Sequence, residues 1–578
     1  MKILFTSITQ PAPRILGHAA TDQMSFRLTR DQGLFTLYLH THYSPLHLLA
    51  QNVDVGSVVL ENPTVDDLIG ELEQSYDMVG ITFDPLSAEQ MMELCRIIRV
   101  RSPRARIVVG GYGAVCGDEL WRSFPVEERI DRLCRTEGVG FLRELLGERT
   151  DRGVRCLLPK EGSTLPWLSS RPVGTIGIIL SGLGCTNRCP FCVTSAYTGG
   201  TYVELLNADQ IYRAMLGYWR TSALTASVTI YDENFMGHTD KVRLLGSLIR
   251  ADGDHGLRRL NYAAFGSIQA LGAYDPDELL LSGLDTLWVG VESKFSQLRK
   301  RGGQTPEEVF GTLHRIGIKT IGSWIIGQDF QTRENIQEDM DYFLALDPCF
   351  QQLSILGVIP GTPLWQSYRE QGLVPDRLQW SECHLYGRTF RHPVFSHPEM
   401  LAELDRQYAR FYREQGPNLM KVLEVNLNGY EYCRASAHEM LRRDKAAFFQ
   451  LRCASYLPLL RTARAVAPTP RVRQRLEDLD HRYRELFGPP TAGEERVAEQ
   501  ILVRAEEELE RRARTPAAAI EEPFRRYTYL PAALRPGGRP YTVEYPHQAP
   551  RRARRAASVP PAEPARAEAG AHDIAVRG

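Results

Sequence analysis

The chain has 578 residues, 43% hydrophobic and 24% charged, a soluble globular composition too long for one ordinary core. Its 69 Lys and Arg against 70 Asp and Glu leave a net charge of −1, which excludes a general electrostatic nucleic-acid binder. No stretch approaches the ~20 apolar residues of a membrane span, and the start MKILFTSITQ reads as a strand, without the pattern of a secretory signal.

Residues 1–155 alternate short apolar runs (KILFTSI, GSVVL, MVGITF, IVVGG, RIDRLCR) with amphipathic stretches such as TVDDLIGELEQSY and SAEQMMELCRIIRVRSP. That alternation predicts an α/β domain with a doubly wound parallel sheet, Rossmann-like or flavodoxin-like. Ligands on such sheets sit beyond the carboxyl ends of the strands. Here those ends carry Ser7 to Gln10, Thr82, Phe83 and Asp84, and Gly110, Gly111 and Tyr112. The glycines of VVGGYGA allow close backbone approach to a bulky ligand, although glycine serves any tight turn after a strand. A long excursion separates Ser7 from Asn52 and holds His18, His40, His42 and His47. Histidine-rich spacing can mean metal. HTHYSPLH has no carboxylate or cysteine beside it, so a polar segment covering the crevice is the reading preferred here.

Residues 156–175 form a turn-rich linker with Pro159, Pro166 and Pro172. From 176 to 365 six strands are predicted: TIGIILSGLGC, SVTIYDENF, LNYAAFGSI, TLWVGVES, KTIGSWIIGQD and FQQLSILGVIPGTPL. Each precedes a helix-compatible segment, the pattern of a partial (β/α)6 barrel, and such barrels place chemistry at the carboxyl ends of their strands. The first strand runs into GCTNRCPFCVTSAYTGG, which puts Cys185, Cys189 and Cys192 on one short loop with no fourth cysteine near. Structural zinc takes four ligands, usually as two separated pairs. An iron–sulfur cube is normally held by four thiolates, so three leave one iron open to react. CPFC alone also reads as a C-x-x-C dithiol, which has no need of Cys185. The other eight cysteines (Cys95, Cys116, Cys134, Cys156, Cys349, Cys383, Cys433, Cys453) read as small buried hydrophobes.

CTNRCPFC resembles the C-x-x-x-C-x-x-C signature of the radical S-adenosylmethionine (SAM) enzymes. The resemblance implies a 4Fe-4S cluster on Cys185, Cys189 and Cys192, with SAM on the open iron. Phe191 is similar to the aromatic that packs near the SAM adenine. Glu233 of YDENF is the nearest match to a G-G-E-like turn against the SAM amino group, with Asp232 as the alternative. Glu292 and Ser293 of GVES resemble a ribose site, and Gly327 of WIIGQD the segment bracketing adenine. PGTPL is a frequent companion of the cobalamin-type subgroup. MVGITF, IRVRSPRARIVVGGYGA and RTEGVGFLRELLGE resemble, in order and spacing, the cobalamin-binding domain that precedes the SAM core there. This implies cobalamin contacts from Ser7, Thr82, Phe83, Gly110, Gly111 and Tyr112, with Glu137 and Gly138 retained from a GEGE-like turn. No D-x-H-x-x-G motif occurs, so no histidine is marked as a lower cobalt ligand. The alternative is a flavodoxin-like domain that kept the fold and lost the ligand.

Past Trp365 the pattern turns helical, and residues 366–513 are expected to close the barrel mouth, with Trp380, His384, Tyr386, His392 and His397 near it. Residues 514–578, rich in Pro, Ala, Gly and Arg, read as a disordered tail. The resemblance thus implies a cytoplasmic cobalamin-dependent radical SAM methyltransferase. It would act on an unactivated carbon of a small metabolite or natural product, served by an electron donor such as flavodoxin or ferredoxin. Cyclisation, rearrangement or methylthio transfer, with the front domain recognising substrate, is the second reading. A dithiol redox protein using Cys189 and Cys192 is the third.

Overall fold

A computed structural model describes residues 1–124, 130–172, 174–221, 225–253, 256–298, 303–515, 520–531 and 542–544. Five apolar runs of the front segment form parallel strands: β1 (Lys2–Thr6), β2 (Gly56–Glu61), β3 (Met78–Thr82), β4 (Arg106–Gly110) and β5 (Arg132–Leu133). Their order is β2-β1-β3-β4-β5, the flavodoxin-like arrangement, which reverses direction between β1 and β3 and opens its crevice there. Ile3, Leu4 and Phe5 are consecutive and all buried, because both faces of the sheet are covered. Leu4, Val58 and Leu60 pack under helices Val65–Leu72 and Ala88–Arg101. Ile3, Phe5 and Val59 pack under Ser44–Gln51 and Gly138–Leu145.

The second sheet comprises β6 (Thr175–Leu180), β7 (Thr225–Tyr231), β8 (Tyr262–Gly266), β9 (Leu284–Glu292), β10 (Lys319–Ile326) and β11 (Phe350–Ile355). Every neighbouring pair is parallel and the spatial order is the chain order, so the sheet curls as a half-barrel whose edges are β6 and β11. An exposed edge invites mispairing and is usually covered. On β6 the linker residue Glu161 exchanges two backbone hydrogen bonds with Ile176, at 3.0 and 2.8 Å. On β11 the Tyr408 hydroxyl, from helix His397–Gln415, accepts the Leu353 N–H at 3.0 Å.

The front excursion and the linker are less irregular than the sequence suggests. Tyr38–His40 pairs antiparallel with Gly162–Thr164. The turn Met24–Leu28 lies against β11, where the Tyr408 hydroxyl donates to the Arg27 carbonyl at 2.8 Å. The helical region starts with a capping box, Ser396 with Glu399, and includes helix Asn418–Ala435. That helix crosses so close to the barrel that a Cβ on Gly317 would lie 2.4 Å from the Gly429 Cα. The residues expected at the barrel mouth divide. Trp380 packs in the front-domain core and Tyr386 in the barrel core, while His384, His392 and His397 are half-buried.

One expectation is corrected. The sequence reads as disordered from 514 onward, yet Arg525–Tyr529 forms a strand, β12, antiparallel to β2, and Thr542–Glu544 (β13) pairs with β12. RRYTY alternates polar and aromatic residues, and a five-residue amphipathic strand is swamped by its Pro- and Arg-rich flanks when composition is averaged. Tyr527 and Tyr529 are buried beside helix Ser44–Gln51, and the Arg526 guanidinium donates to both Glu71 oxygens at 2.7 and 2.9 Å. Residues 516–519, 532–541 and 545–578 of the expected tail lie outside the described residues. Among the described residues no helix is long and apolar enough to cross a membrane. Tyr529→Ala is expected to cost about 3 kcal/mol in urea unfolding, as other buried aromatics do. A change below about 0.5 kcal/mol would mean that β12 does not hold the sheet edge.

Candidate active site

The three-cysteine loop leaves β6 and is closed by the short pairing of Gly182–Leu183 with Val203–Glu204. Gly184 has φ +84°, and a Cβ there would lie 2.2 Å from the Thr198 Oγ1, so the turn into Cys185 requires glycine. Ser195 Oγ donates to the Cys185 carbonyl at 2.9 Å, and the Cys192 N–H donates to the Cys189 carbonyl at 3.0 Å. The Leu364 N–H donates to Pro190 O at 2.9 Å, so the PGTPL segment after β11 clamps the loop. Cys185, Cys189 and Cys192 are half-exposed, whereas the other eight cysteines are buried. Burial pushes the thiols of Cys156, Cys349, Cys383, Cys433 and Cys453 up to about 12. Three thiols on one pinned turn, with every other thiol enclosed, fit a cluster held at three corners. Phe191, between the last two of them, packs half-buried against the barrel core.

Asp232 and Glu233 stand where β7 ends, beside this loop. Asp232 is 2% exposed; its Oδ2 accepts from Ser181 Oγ at 3.0 Å and Tyr202 Oη at 2.7 Å. Glu233 Oε1 accepts from Tyr112 Oη at 2.8 Å. Burial lifts the Glu233 carboxyl above its ordinary range, against hydrogen bonds from Tyr112 and the Gly184 backbone. Asp232 Oδ1 and Glu233 Oε2 are both buried without a hydrogen-bond partner, with His238 Nε2 at 3.7 Å from the former. Two orphaned carboxylate oxygens beside the cysteine loop suit a cationic donor.

The other strand-end residues divide. Glu292 is buried at φ +64° at the end of β9, where its carbonyl accepts from Gln328 Nε2 at 3.1 Å. Ser293 is fully buried and donates to Asp339 Oδ2 at 2.7 Å. Gly327 (φ +92°) packs under the helical region, with Met400 Sδ 3.0 Å from where its Cβ would be.

The front domain meets this site directly. Tyr112 reaches across to Glu233, and its ring stands edge-on to Tyr197, at 5.5 Å and 82°, just past the cysteine loop. Tyr197 Oη in turn donates to the Thr136 carbonyl at 2.6 Å. Gly361 (φ +85°) of PGTPL lies so near Val115 that a Cβ would be 2.1 Å from its carbonyl. Thr82, Phe83, Gly110 and Gly111 pack together at the ends of β3 and β4, and a Cβ on Gly111 would lie 2.6 Å from Phe83 O. Ser7 is buried, donating to Ile8 O and accepting from the Asn62 N–H. Glu137 caps the helix begun by Gly138, accepting from the Val139 and Gly140 N–H groups.

The histidines of the excursion find a carboxylate that the local sequence does not show. His42 Nδ1 is 2.8 Å from Glu61 Oε2, and His47 Nε2 is 2.9 Å from Glu61 Oε1. These three have the mutual spacing of an ion's ligands. Tyr43 N–H also donates to Glu61, the Tyr529 hydroxyl lies 2.6 Å from His47 Nδ1, and Arg525 is 3.5 Å away. Burial would lift the Glu61 carboxyl, but the two histidines outweigh it and hold it well below its usual range. The network is satisfied internally, with the Arg525 guanidinium, itself paired to Glu522, as a further cation 3.5 Å from Glu61.

Sequence reasoning expected the strand ends of both sheets to face one cavity but missed what the excursion and the linker bring to it. Asp84 and Tyr231 face open space, Tyr231 with 38% of its surface, although protein surrounds both. Glu161 and Arg27, from linker and excursion, both act electrostatically on the Tyr231 hydroxyl, with opposite signs. No local motif marks either; only the chain path brings them there. Burial pushes the Glu161 carboxyl up to about 7, with His42 pulling the other way. From pH 4.5 to about 7 the unfolded chain has released this proton while the folded chain keeps it, so stability falls as pH rises through that window. Glu161→Gln is therefore expected to be more stable than wild type by up to about 3 kcal/mol near pH 8 and equal near pH 4, by urea unfolding. Equal stability at both pH values would refute the burial of this carboxyl.

No protein-family model matches the chain. An uncharacterised methyltransferase of Pyrococcus horikoshii is 22% identical over 373 residues, 58% of this chain and 78% of that protein. The bacteriochlorophyllide d C-8(2)-methyltransferase of Chlorobaculum tepidum is 24% identical over 355 residues, 55% of this chain and 74% of that protein. Two structures of the radical SAM methyltransferase TsrM of Kitasatospora setae overlay on 78% of this chain and 99% of theirs. One holds cobalamin and a 4Fe-4S cluster (TM-score 0.46, 16% identity); the other holds tryptophan and a SAM analogue (TM-score 0.49, 15% identity). By sequence the chain is distantly similar to the Pyrococcus and Chlorobaculum methyltransferases, and it carries its three-cysteine loop on a parallel six-stranded half-barrel behind a flavodoxin-like domain.

Proposed function

We propose that the chain is a radical SAM methyltransferase that uses cobalamin bound by its front domain. The observation that carries this reading is the juxtaposition at the cysteine loop. Three half-exposed thiols stand beside two carboxylates, each with a buried unpaired oxygen, and the front domain's Tyr112 reaches across to one of them. Cys185, Cys189 and Cys192 would hold the cluster, and Asp232 and Glu233 the SAM ammonium. When bound, the cluster supplies an electron to the SAM sulfonium and cobalamin supplies a methyl group. The chain's own residues bind, orient and exclude water. Glu233 contributes negative charge desolvated in advance, so its attraction for an ammonium is stronger than in water. Tyr112 fixes the direction of that carboxylate and couples its position to the front crevice.

Cobalamin would enter where β1 and β3 diverge, against the ends of β1, β3 and β4. Both curated relatives are methyltransferases, and one of them acts on a bacteriochlorophyllide, which supports transfer to carbon. Carbon methylation of a small molecule is the reaction this arrangement suits. Electrons would come from a separate donor such as flavodoxin or ferredoxin.

Anoxically reconstituted protein is expected to bind about four irons and to cleave SAM. Alanine at Cys185, Cys189 or Cys192 is expected to abolish both. Glu233→Gln is expected to keep the iron and weaken SAM binding by about tenfold or more, the scale of a charge-assisted hydrogen bond. Cleavage surviving in any cysteine variant would remove the cluster assignment; unchanged SAM affinity in Glu233→Gln would remove the ammonium contact. Hydroxocobalamin that fails to co-elute with the protein would sink the methyl-carrier half alone.

A further inference from the structure

Strand alternation decides what the concave face of the half-barrel is made of. Val228 and Ile230 on β7, and Leu287 and Val289 on β9, point outward beneath the helices and are buried. The residues between them point inward: Tyr231 on β7, Phe265 on β8 and Trp288 on β9. Phe265 and Trp288 are register partners, their rings stacked at 5.2 Å and 17°. Tyr231 continues the row, 5.9 Å from Phe265 and tilted by 36°. The Trp288 Nε1 donates to Ser323 Oγ at 2.8 Å, which fixes its ring plane. Three rings on adjacent strands form an apolar wall, Phe265 and Trp288 overlapping face to face within it, and that wall ends at Tyr231, the residue before Asp232 and Glu233.

Arg27 stands over the far end of this wall, its guanidinium 4.9 Å from the centre of the Trp288 ring. The turn Met24–Leu28 delivers it, pinned through its own carbonyl to Tyr408. Nη1 donates to Gln23 Oε1 at 3.0 Å, and Nε is buried with no hydrogen-bond partner. Among the described residues Arg27 has no carboxylate at ion-pair distance. The charged and titratable groups around it are Tyr231, Tyr386 and Tyr408. A cation partly withdrawn from water, with no counter-ion among the described residues, gains when an anion joins it. Glu161 acts on the Tyr231 hydroxyl with the opposite sign to Arg27, so the Arg27 end is the favourable one for an anion.

We propose that this face is the substrate site, and that it takes a planar conjugated molecule carrying an anionic group. The ring system lies along Phe265 and Trp288, and the anion pairs with Arg27. The inference rests on the reading of the neighbouring carboxylates as the SAM site, since only then is the wall beside the reacting group. The substrate class itself follows from the wall and the unpaired guanidinium. Edge-to-face contact with fixed rings favours a rigid flat ligand over a flexible lipid chain.

The test uses the full chain with its cluster, with 2-naphthoate as probe and isothermal titration as readout. The comparison probes are 2-naphthalenemethanol, which lacks the charge, and cyclohexanecarboxylate, which lacks the flat ring. 2-Naphthoate is expected to bind, and cyclohexanecarboxylate to bind at least about tenfold more weakly. Arg27→Gln is expected to weaken 2-naphthoate by about tenfold and leave 2-naphthalenemethanol unchanged. Trp288→Leu is expected to weaken both ring probes by about tenfold; if that variant loses its fold by circular dichroism, Phe265→Leu takes its place. Absence of 2-naphthoate binding, equal binding of the cyclohexane acid, or a 2-naphthoate affinity within about twofold of wild type in either variant would overturn the proposal. SAM cleavage is measured separately on the same preparations. Its loss with probe binding intact would fail the proposed function and leave the pocket standing.

Discussion

The hydrogen bond from Tyr112 to Glu233 is the constraint on which the site depends. It joins two sheets that have separate cores, and it does so beside the cysteine loop. An ionisable carboxyl withdrawn from water is costly unless something compensates. Here a phenol and a backbone amide compensate part of the cost and leave one oxygen unmet. The neighbouring Asp232 repeats the arrangement, with Ser181 and Tyr202 on one oxygen and none on the other. Such half-satisfied carboxylates are poor for stability and well suited to a cationic ligand.

Close backbone approach makes this docking specific. Gly361 lies against the Val115 carbonyl at a distance no side chain tolerates, and its φ of +85° suits glycine alone. The same PGTPL segment holds the cysteine loop through Leu364 and Pro190. One short turn therefore sets both the position of the front domain and the shape of the cysteine loop. Tyr197 repeats the link from the other side, reaching the Thr136 carbonyl. The crevice of the first sheet and the mouth of the second consequently face one interior space.

That space is walled by segments with little regular structure of their own. The excursion supplies Arg27, the linker supplies Glu161, and the C-terminal strand arrives beside His47 and Glu61. Each is ordered by pairing elsewhere: Tyr38–His40 with Gly162–Thr164, and Arg525–Tyr529 with β2. Polar groups that look unsupported in sequence become mutually satisfied through these long-range pairings. His42 and His47 find their carboxylate at the end of a different strand.

The sequence by itself determined the elements and the reactive loop. Apolar runs of strand length alternating with amphipathic stretches specify two parallel α/β sheets, because burial on both faces demands it. Three cysteines within eight positions declare themselves as ligands, since local spacing is enough to place them on one turn. Asp232 and Glu233 were legible as strand-end carboxylates, but their unpaired oxygens were not, because partners such as Tyr112 and Ser181 lie far along the chain. Only the tertiary structure decided that Ser293 faces Asp339, that Glu137 caps a helix, and that Arg27 stands over the Trp288 ring with no carboxylate at ion-pair distance among the described residues. It also recovered a strand at 525–529 from a stretch whose composition argued for disorder. Periodicity and spacing are local properties written in neighbouring residues; desolvation and pairing depend on what distant segments bring, and only the folded path supplies that.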